Sequence, residues 1–138
     1  MPKPAPRRPL GVTLLTAFFL FGASMCALTI VLLVFPASRL NVVWRINPEA
    51  RDAFTQMGRW AFLLMTVLGA ACAATAVGLF RGRPWGRSLA VAVLALNLAG
   101  DLANAAIRHE LRTLVGIPIA GWFILYLLGS RARGFFER

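Results

Sequence analysis

Four long apolar stretches, separated by short segments rich in arginine, dominate the pattern of hydrophobic and polar positions along the chain. Each stretch is close to the roughly 20 residues that a helix needs to cross about 30 Å of hydrocarbon. Helices are the expected form, because they satisfy their own backbone hydrogen bonds inside a bilayer. The pattern therefore predicts an all-α integral membrane four-helix bundle, with spans at about 10–35, 60–80, 85–107 and 113–129.

The connections between the stretches predict how the spans are arranged. Residues 81–87 and 108–112 are short polar segments, so consecutive spans should pack as antiparallel neighbours. This arrangement gives an up-down-up-down topology in a single transmembrane domain, 10–129, with one sizeable outer loop at 37–59. Within that loop, residues 48–58 fit two structures equally well, a separate surface helix or an extension of span two.

Charge predicts the orientation of the chain in the membrane. Residues 1–9 form a basic, proline-rich segment that is expected to be a mobile tail, and residues 130–138 form a second basic tail. On the side of the two termini lie nine Lys and Arg residues, against six on the opposite side. Because positive charge in short loops favours the cytoplasm, both termini are predicted to be cytoplasmic.

Composition indicates the partners. The chain is 59% hydrophobic and carries a formal net charge of +10. Such a charge is also typical of nucleic-acid-binding domains, but here the arginines are dispersed between apolar spans. They are therefore predicted to contact the anionic headgroups of a lipid bilayer and not nucleic acid. A second copy of the chain or a larger membrane protein is the other predicted partner.

The sequence contains no pattern that predicts catalysis. Cys26 and Cys72 lie within apolar spans and not in a C-x-x-C motif, and His109 is the only histidine. Histidines therefore cannot supply a zinc ligand set or a pair of axial haem ligands. No nucleophile is accompanied by a base and an orienting group. We expect no metal, no cofactor and no enzymatic activity.

Small residues predict which helix is central. In span two, Gly69 and Ala73 are four residues apart, as are Ala70, Ala74 and Gly78. Small side chains let helix backbones approach closely, which is a major source of attraction between helices in lipid. Span two is therefore predicted to be the central helix, packed through these ridges.

The one unusual feature is a polar face on span three. Its four polar residues are Asn97, Asp101, Asn104 and Arg108. Their offsets of 0, 4, 7 and 11 place them within a wedge of about 60° around the helix axis. A charged acid at the bilayer centre costs about 2.5–3.5 kcal/mol, and less near an interface. Asp101 should therefore face protein or water. In span four, Pro118 is predicted to kink the helix and to free the carbonyl of Leu114 near the level of Asp101.

Two interpretations of Asp101 follow. In the first, Asp101 is a structural clamp that bonds Asn97 and Asn104 and pairs with Arg59 or Arg112 at the outer rim. In the second, the same face is a small polar site that opens outward and binds a cation, a proton or a polar headgroup. The shallow depth of Asp101 favours the clamp, because an acid near the interface costs less to place there.

In length and helix count the chain resembles small bacterial four-helix membrane proteins, including the DoxX-like group. The resemblance covers the layout only and carries over no site residue. It implies a multi-pass protein of the bacterial inner membrane. The predicted function is a non-enzymatic structural or accessory subunit. The alternatives are a small transporter or ligand-binding membrane protein that uses the Asp101 face, and an accessory of a membrane oxidoreductase.

Overall fold

Helices make up nearly all of the part of the chain that the structure describes. A computed structural model describes residues 9–108 and 115–136, with every side chain in these ranges except those of Asn104, Arg108 and Arg131. Within these ranges, a 3-10 helix, Arg39–Arg45, lies between the first two of six α-helices. In chain order these are α1 Leu10–Val34, α2 Pro48–Met57, α3 Arg59–Phe80, α4 Pro84–Arg108, α5 Gly116–Leu128 and α6 Ser130–Phe136.

Three of these helices are long and apolar enough to cross a membrane, namely α1, α3 and α4. They have 25, 22 and 25 residues, which correspond to lengths of about 37, 33 and 37 Å. The ends of these helices agree with the predicted spans 10–35, 60–80 and 85–107 to within one residue. The all-helical character predicted from the sequence is thus confirmed for the described residues, and three of the predicted spans are helices of sufficient length and apolarity to cross a membrane.

The fourth apolar stretch is shorter as a described helix. Helix α5 has 13 residues, or about 20 Å, and residues 109–114, which precede it, lie outside the described residues. It ends where Gly129 adopts an extended conformation, with φ −66° and ψ 153°. The predicted span 113–129 therefore contains α5, while its first two residues lie outside the described part of the chain.

The segment between α1 and α3 contains a separate helix. Helix α2 begins after Asn47, whose side chain accepts a hydrogen bond of 3.1 Å from the backbone N–H of Ala50. It ends at Gly58, where φ is +54°. This left-handed conformation, which glycine adopts without strain, interrupts the helical path before α3 begins at Arg59. Residues 48–57 are thus a separate helix and not an extension of span two.

The long helices pack as neighbours in the order α1, α3, α4 and α5, with the most extensive contact between α1 and α3. Helix α3 lies between α1 and α4, as its small residues predicted. Gly69 packs against Cys26 of α1, and Gly78 packs against the backbone of Gly86 in α4. The predicted ridges were only partly correct, because Ala70 and Ala73 are exposed. The buried face of α3 is instead formed by Ala61, Met65, Cys72, Thr75, Ala76, Gly78 and Leu79.

The segment after α5 differs from its prediction as a basic tail. Residues 130–136 form α6, in which Ala132 and Phe136 are 0% and 1% exposed. These two residues are four positions apart, so they lie on one helix face and join the core, while Arg133 is exposed. Phe135 packs against Gly82 in the α3–α4 connection. Helix α6 is therefore an amphipathic part of the folded structure.

Candidate functional site

Asp101 lies in the last two turns of α4 and is half-buried against the start of α5. A Cβ atom placed on Gly116 would lie 2.7 Å from the carboxylate Oδ2 of Asp101 and 3.7 Å from its Cγ. The carboxylate therefore packs directly against the backbone of Gly116, the first residue of α5. Glycine at this position leaves room for the acid. This contact lies two residues from Pro118, in the part of span four that the sequence analysis placed near the level of Asp101.

Of the other three residues of the predicted polar face, the structure describes the side chain of Asn97. Asn97 is exposed and borders a cavity of about 140 Å³ between α1, α3 and α4. The side chains of Asn104 and Arg108, like all of Arg112, lie outside the described residues. The structure thus brings Asp101 next to Gly116.

Arg59, one of the two predicted ion-pair partners of Asp101, is exposed at the start of α3. Its guanidinium carbon lies 6.0 Å from the centroid of the Trp60 ring, a cation–π distance. Among the residues that the structure describes, neither Arg59 nor Asp101 takes part in a salt bridge. Among the described residues, Arg59 therefore contacts the ring of Trp60 and not the carboxylate of Asp101.

Pro118 lies in the first turn of α5 as described. At this position the missing N–H of proline costs nothing, because the first N–H groups of a helix have no partner within the helix. The predicted kink depends on the backbone around Leu114, which is outside the described residues.

A second polar contact joins α4 to the opposite end of α5, and the sequence analysis missed it. The Nε of Arg87 donates a hydrogen bond of 2.8 Å to the carbonyl oxygen of Leu127, and the Arg87 side chain is half-buried. Carbonyls in the last turn of a helix lack a donor from within that helix. Arg87 therefore supplies one, and its charge is favourable at the negative end of the helix dipole.

Arg87 and Asp101 contact α5 at its two ends. They are 14 residues apart on α4, which is close to four helical turns, so they share one face at a separation of about 21 Å. This separation matches the length of about 20 Å of α5. The base lies at the C-terminal end of α5 and the acid at its N-terminal end, which is the favourable arrangement for both charges. We call this pair of contacts the α4–α5 clamp.

The cavity bordered by Asn97 is apolar apart from that side chain. Phe18, Phe19, Leu68 and Leu94 line it, together with Cys26 and Cys72. Both cysteines are free and buried. In the described part of the chain, no three His, Cys, Asp or Glu side chains are placed to hold a metal ion.

Comparison with known proteins gives no relative for this chain: no family model, curated protein or solved structure matches it.

Proposed function

We propose that the chain is a non-enzymatic integral membrane protein, a structural or accessory subunit built as a four-helix bundle. The observation that carries this proposal is the α4–α5 clamp, in which Arg87 and Asp101 both contact the ends of α5. We infer that these two charged groups of α4 help to hold the helices together. No described group is placed to activate either of them for chemistry.

The surface supports placement in a lipid bilayer. Many large apolar side chains are more than two-thirds exposed, among them Leu96, Ile107, Trp122 and Leu125. Large apolar side chains exposed to this degree are a liability in water and are expected where lipid covers the helices. The bacterial inner membrane remains our proposal for the location.

Contacts at one end of the bundle support the up-down-up-down topology. Gly11 near the start of α1 packs against Tyr126 near the end of α5, and Gly82 packs against Phe135 of α6. The start of α1, the α3–α4 connection and the last helix therefore share one end. That end carries Arg81, Arg83, Arg87 and Arg133, and the positive-inside rule assigns it to the cytoplasm.

An accessory role is tested by purification in a mild detergent after chemical cross-linking in the membrane. We expect a fixed stoichiometric partner, either a second copy of the chain or a larger membrane protein. The proposal would be contradicted if the chain purified as a monomer without any cross-linked partner protein and also converted an added substrate to product.

A second candidate function is ligand binding at Asp101. The observation that favours it is that this half-buried carboxylate forms no hydrogen bond or salt bridge with another described residue. It therefore retains lone pairs for a cation, a proton or a polar headgroup. Asp101→Asn distinguishes this candidate from the clamp.

If Asp101 acts as a clamp, Asp101→Asn should lower the free energy of unfolding in detergent by about 0.3–2 kcal/mol, because an anion is lost at the start of α5. Asp52→Asn, which removes an exposed acid from α2, is the matched control and should have little effect. If Asp101 binds a ligand, the variant should keep its stability and lose a ligand- or pH-dependent shift in melting temperature.

A further inference from the structure

A groove at the end of the bundle where α1 ends and α3 begins has a volume of about 300 Å³, at the lower end of the range for ligand pockets. Leu32 and Leu33 of α1 and Phe62 of α3 form its floor. Trp44 of the 3-10 helix and Phe54 of α2 form a wall, with ring centroids 6.0 Å apart. We call this cavity the loop groove.

The groove exists because of the break between α2 and α3. Gly58 borders the groove, and its φ of +54° turns α2 away from the axis of α3. A continuous helix through this position would carry α2 along the axis of α3 and would remove this wall. The turn therefore leaves an open space between a loop wall and an apolar floor where α1 ends and α3 begins.

Arg51 gives the groove a charge. It lines the groove from α2 and is exposed, and within the described ranges it has no salt-bridge partner. Glu49 and Asp52 are two and one positions away, and residues at these spacings do not face each other on a helix. The guanidinium of Arg51 is therefore free to bind an anion. Arginine suits phosphate especially well, because its planar fork donates two parallel hydrogen bonds.

We propose that the loop groove binds one anionic phospholipid from the leaflet at that end of the bundle. An acyl chain lies on Leu32, Leu33 and Phe62, and the phosphate accepts hydrogen bonds from Arg51. The apolar floor belongs to the ends of two membrane-spanning helices, so a molecule that enters from the bilayer presents a hydrocarbon chain to it. The position of Arg51 on the wall matches the headgroup of such a lipid, and so the occupant is a phospholipid and not a peptide.

The groove contains Trp44, whose fluorescence reports on its occupant. The experiment uses a chain with Trp60, Trp85 and Trp122 changed to Phe, reconstituted in vesicles that contain brominated phosphatidylglycerol or brominated phosphatidylcholine. We expect phosphatidylglycerol to quench Trp44 saturably, at a mole fraction about fivefold lower than phosphatidylcholine, the factor expected for one arginine near an anionic headgroup. Equal quenching by the two lipids would overturn the proposal.

Two matched variants assign the preference to the groove. Arg51→Gln should remove the fivefold preference, while Arg45→Gln, which changes an exposed arginine of the 3-10 helix that does not line the groove, should keep it. If both variants lost the preference equally, the preference would come from the net charge of the whole segment, and a specific lipid site at Arg51 would be refuted. Native mass spectrometry of the unaltered chain should independently show one retained phosphatidylglycerol, and its absence would also refute the proposal.

Discussion

Phe136→Ala should lower the free energy of unfolding in detergent by about 3–5 kcal/mol, the usual cost of removing a buried aromatic side chain. Phe136 is 1% exposed and belongs to the core cluster, although it lies two residues from the end of the chain. Its ring packs edge-on against that of Phe135, with centroids 5.2 Å apart. Truncation to Ala would leave a cavity between α6 and the bundle.

The matched control for this prediction is Phe35→Ala. Phe35 follows α1 and is 60% exposed, so its truncation opens no cavity in the core. Thermal unfolding of both variants in the same detergent measures the difference. If the segment 130–136 were a solvated tail, the two variants would be equally stable, and the described packing of α6 would be incorrect.

The second large effect is expected for Gly78→Ala, at roughly 1–3 kcal/mol or more, because the new methyl group has no space. A Cβ on Gly78 would lie 2.5 Å from the Cα of Gly86 and 2.9 Å from the Trp85 ring. The first neighbour is backbone, so only a separation of α3 from α4 relieves the overlap. The close contact of these two helices depends on glycine at this position.

Gly100→Ala provides the control for the helix contact, since a Cβ at Gly100 meets nothing within 4 Å. It should be neutral or slightly stabilising, because alanine reduces the entropy of the unfolded chain. Unfolding midpoints of the two variants should therefore move in opposite directions or differ by several degrees. Similar midpoints would show that Gly78 and Gly86 do not pack face to face.

Sequence reasoning located the long helices well and the smaller elements poorly. The bounds of α1, α3 and α4 followed from hydrophobic length, because the thickness of the bilayer sets that length physically. Helix α6 was missed because its seven residues include two arginines and a glycine. The segment was therefore interpreted as a basic tail, although Ala132 and Phe136 give it an apolar face. The ambiguity at residues 48–58 needed the backbone conformation of Gly58, which composition does not specify.

The orientation of each helix about its axis was harder to predict than its position. Small residues occupy several faces of α3, so Ala70 and Ala73 appeared equivalent to the buried Ala76. In lipid, an exposed alanine and a buried alanine give the same sequence signal, because lipid chains are as apolar as a protein core. The sequence therefore did not predict which face of α3 packs against α1.

The candidate site was predicted in part. Asp101 was recognised because an acid in an apolar span is costly, and the part of span four around Leu114 and Pro118 was expected near its level. Arg87 was interpreted only as a headgroup contact. The missed signal was its spacing of 14 residues from Asp101, which places both on one face of α4.

The central claim is that α4 holds α5 through contacts at its ends, and a double-mutant cycle of Asp101→Ala and Gly116→Ala tests it most directly. In the unaltered chain, Gly116→Ala should cost about 1 kcal/mol, because the new methyl group displaces the carboxylate from its packing position. With Asp101→Ala the space is free, so the second change should then cost no more than Gly121→Ala, where a Cβ meets nothing within 4 Å.

The quantity to measure is the coupling free energy of this cycle, from unfolding in detergent. The clamp predicts a coupling of about 1 kcal/mol, within the range found for residues in direct contact. Additive effects of the two changes, within about 0.3–0.5 kcal/mol, are typical of distant and independent sites. Such additivity would contradict a contact between Asp101 and the start of α5, and with it the proposed clamp.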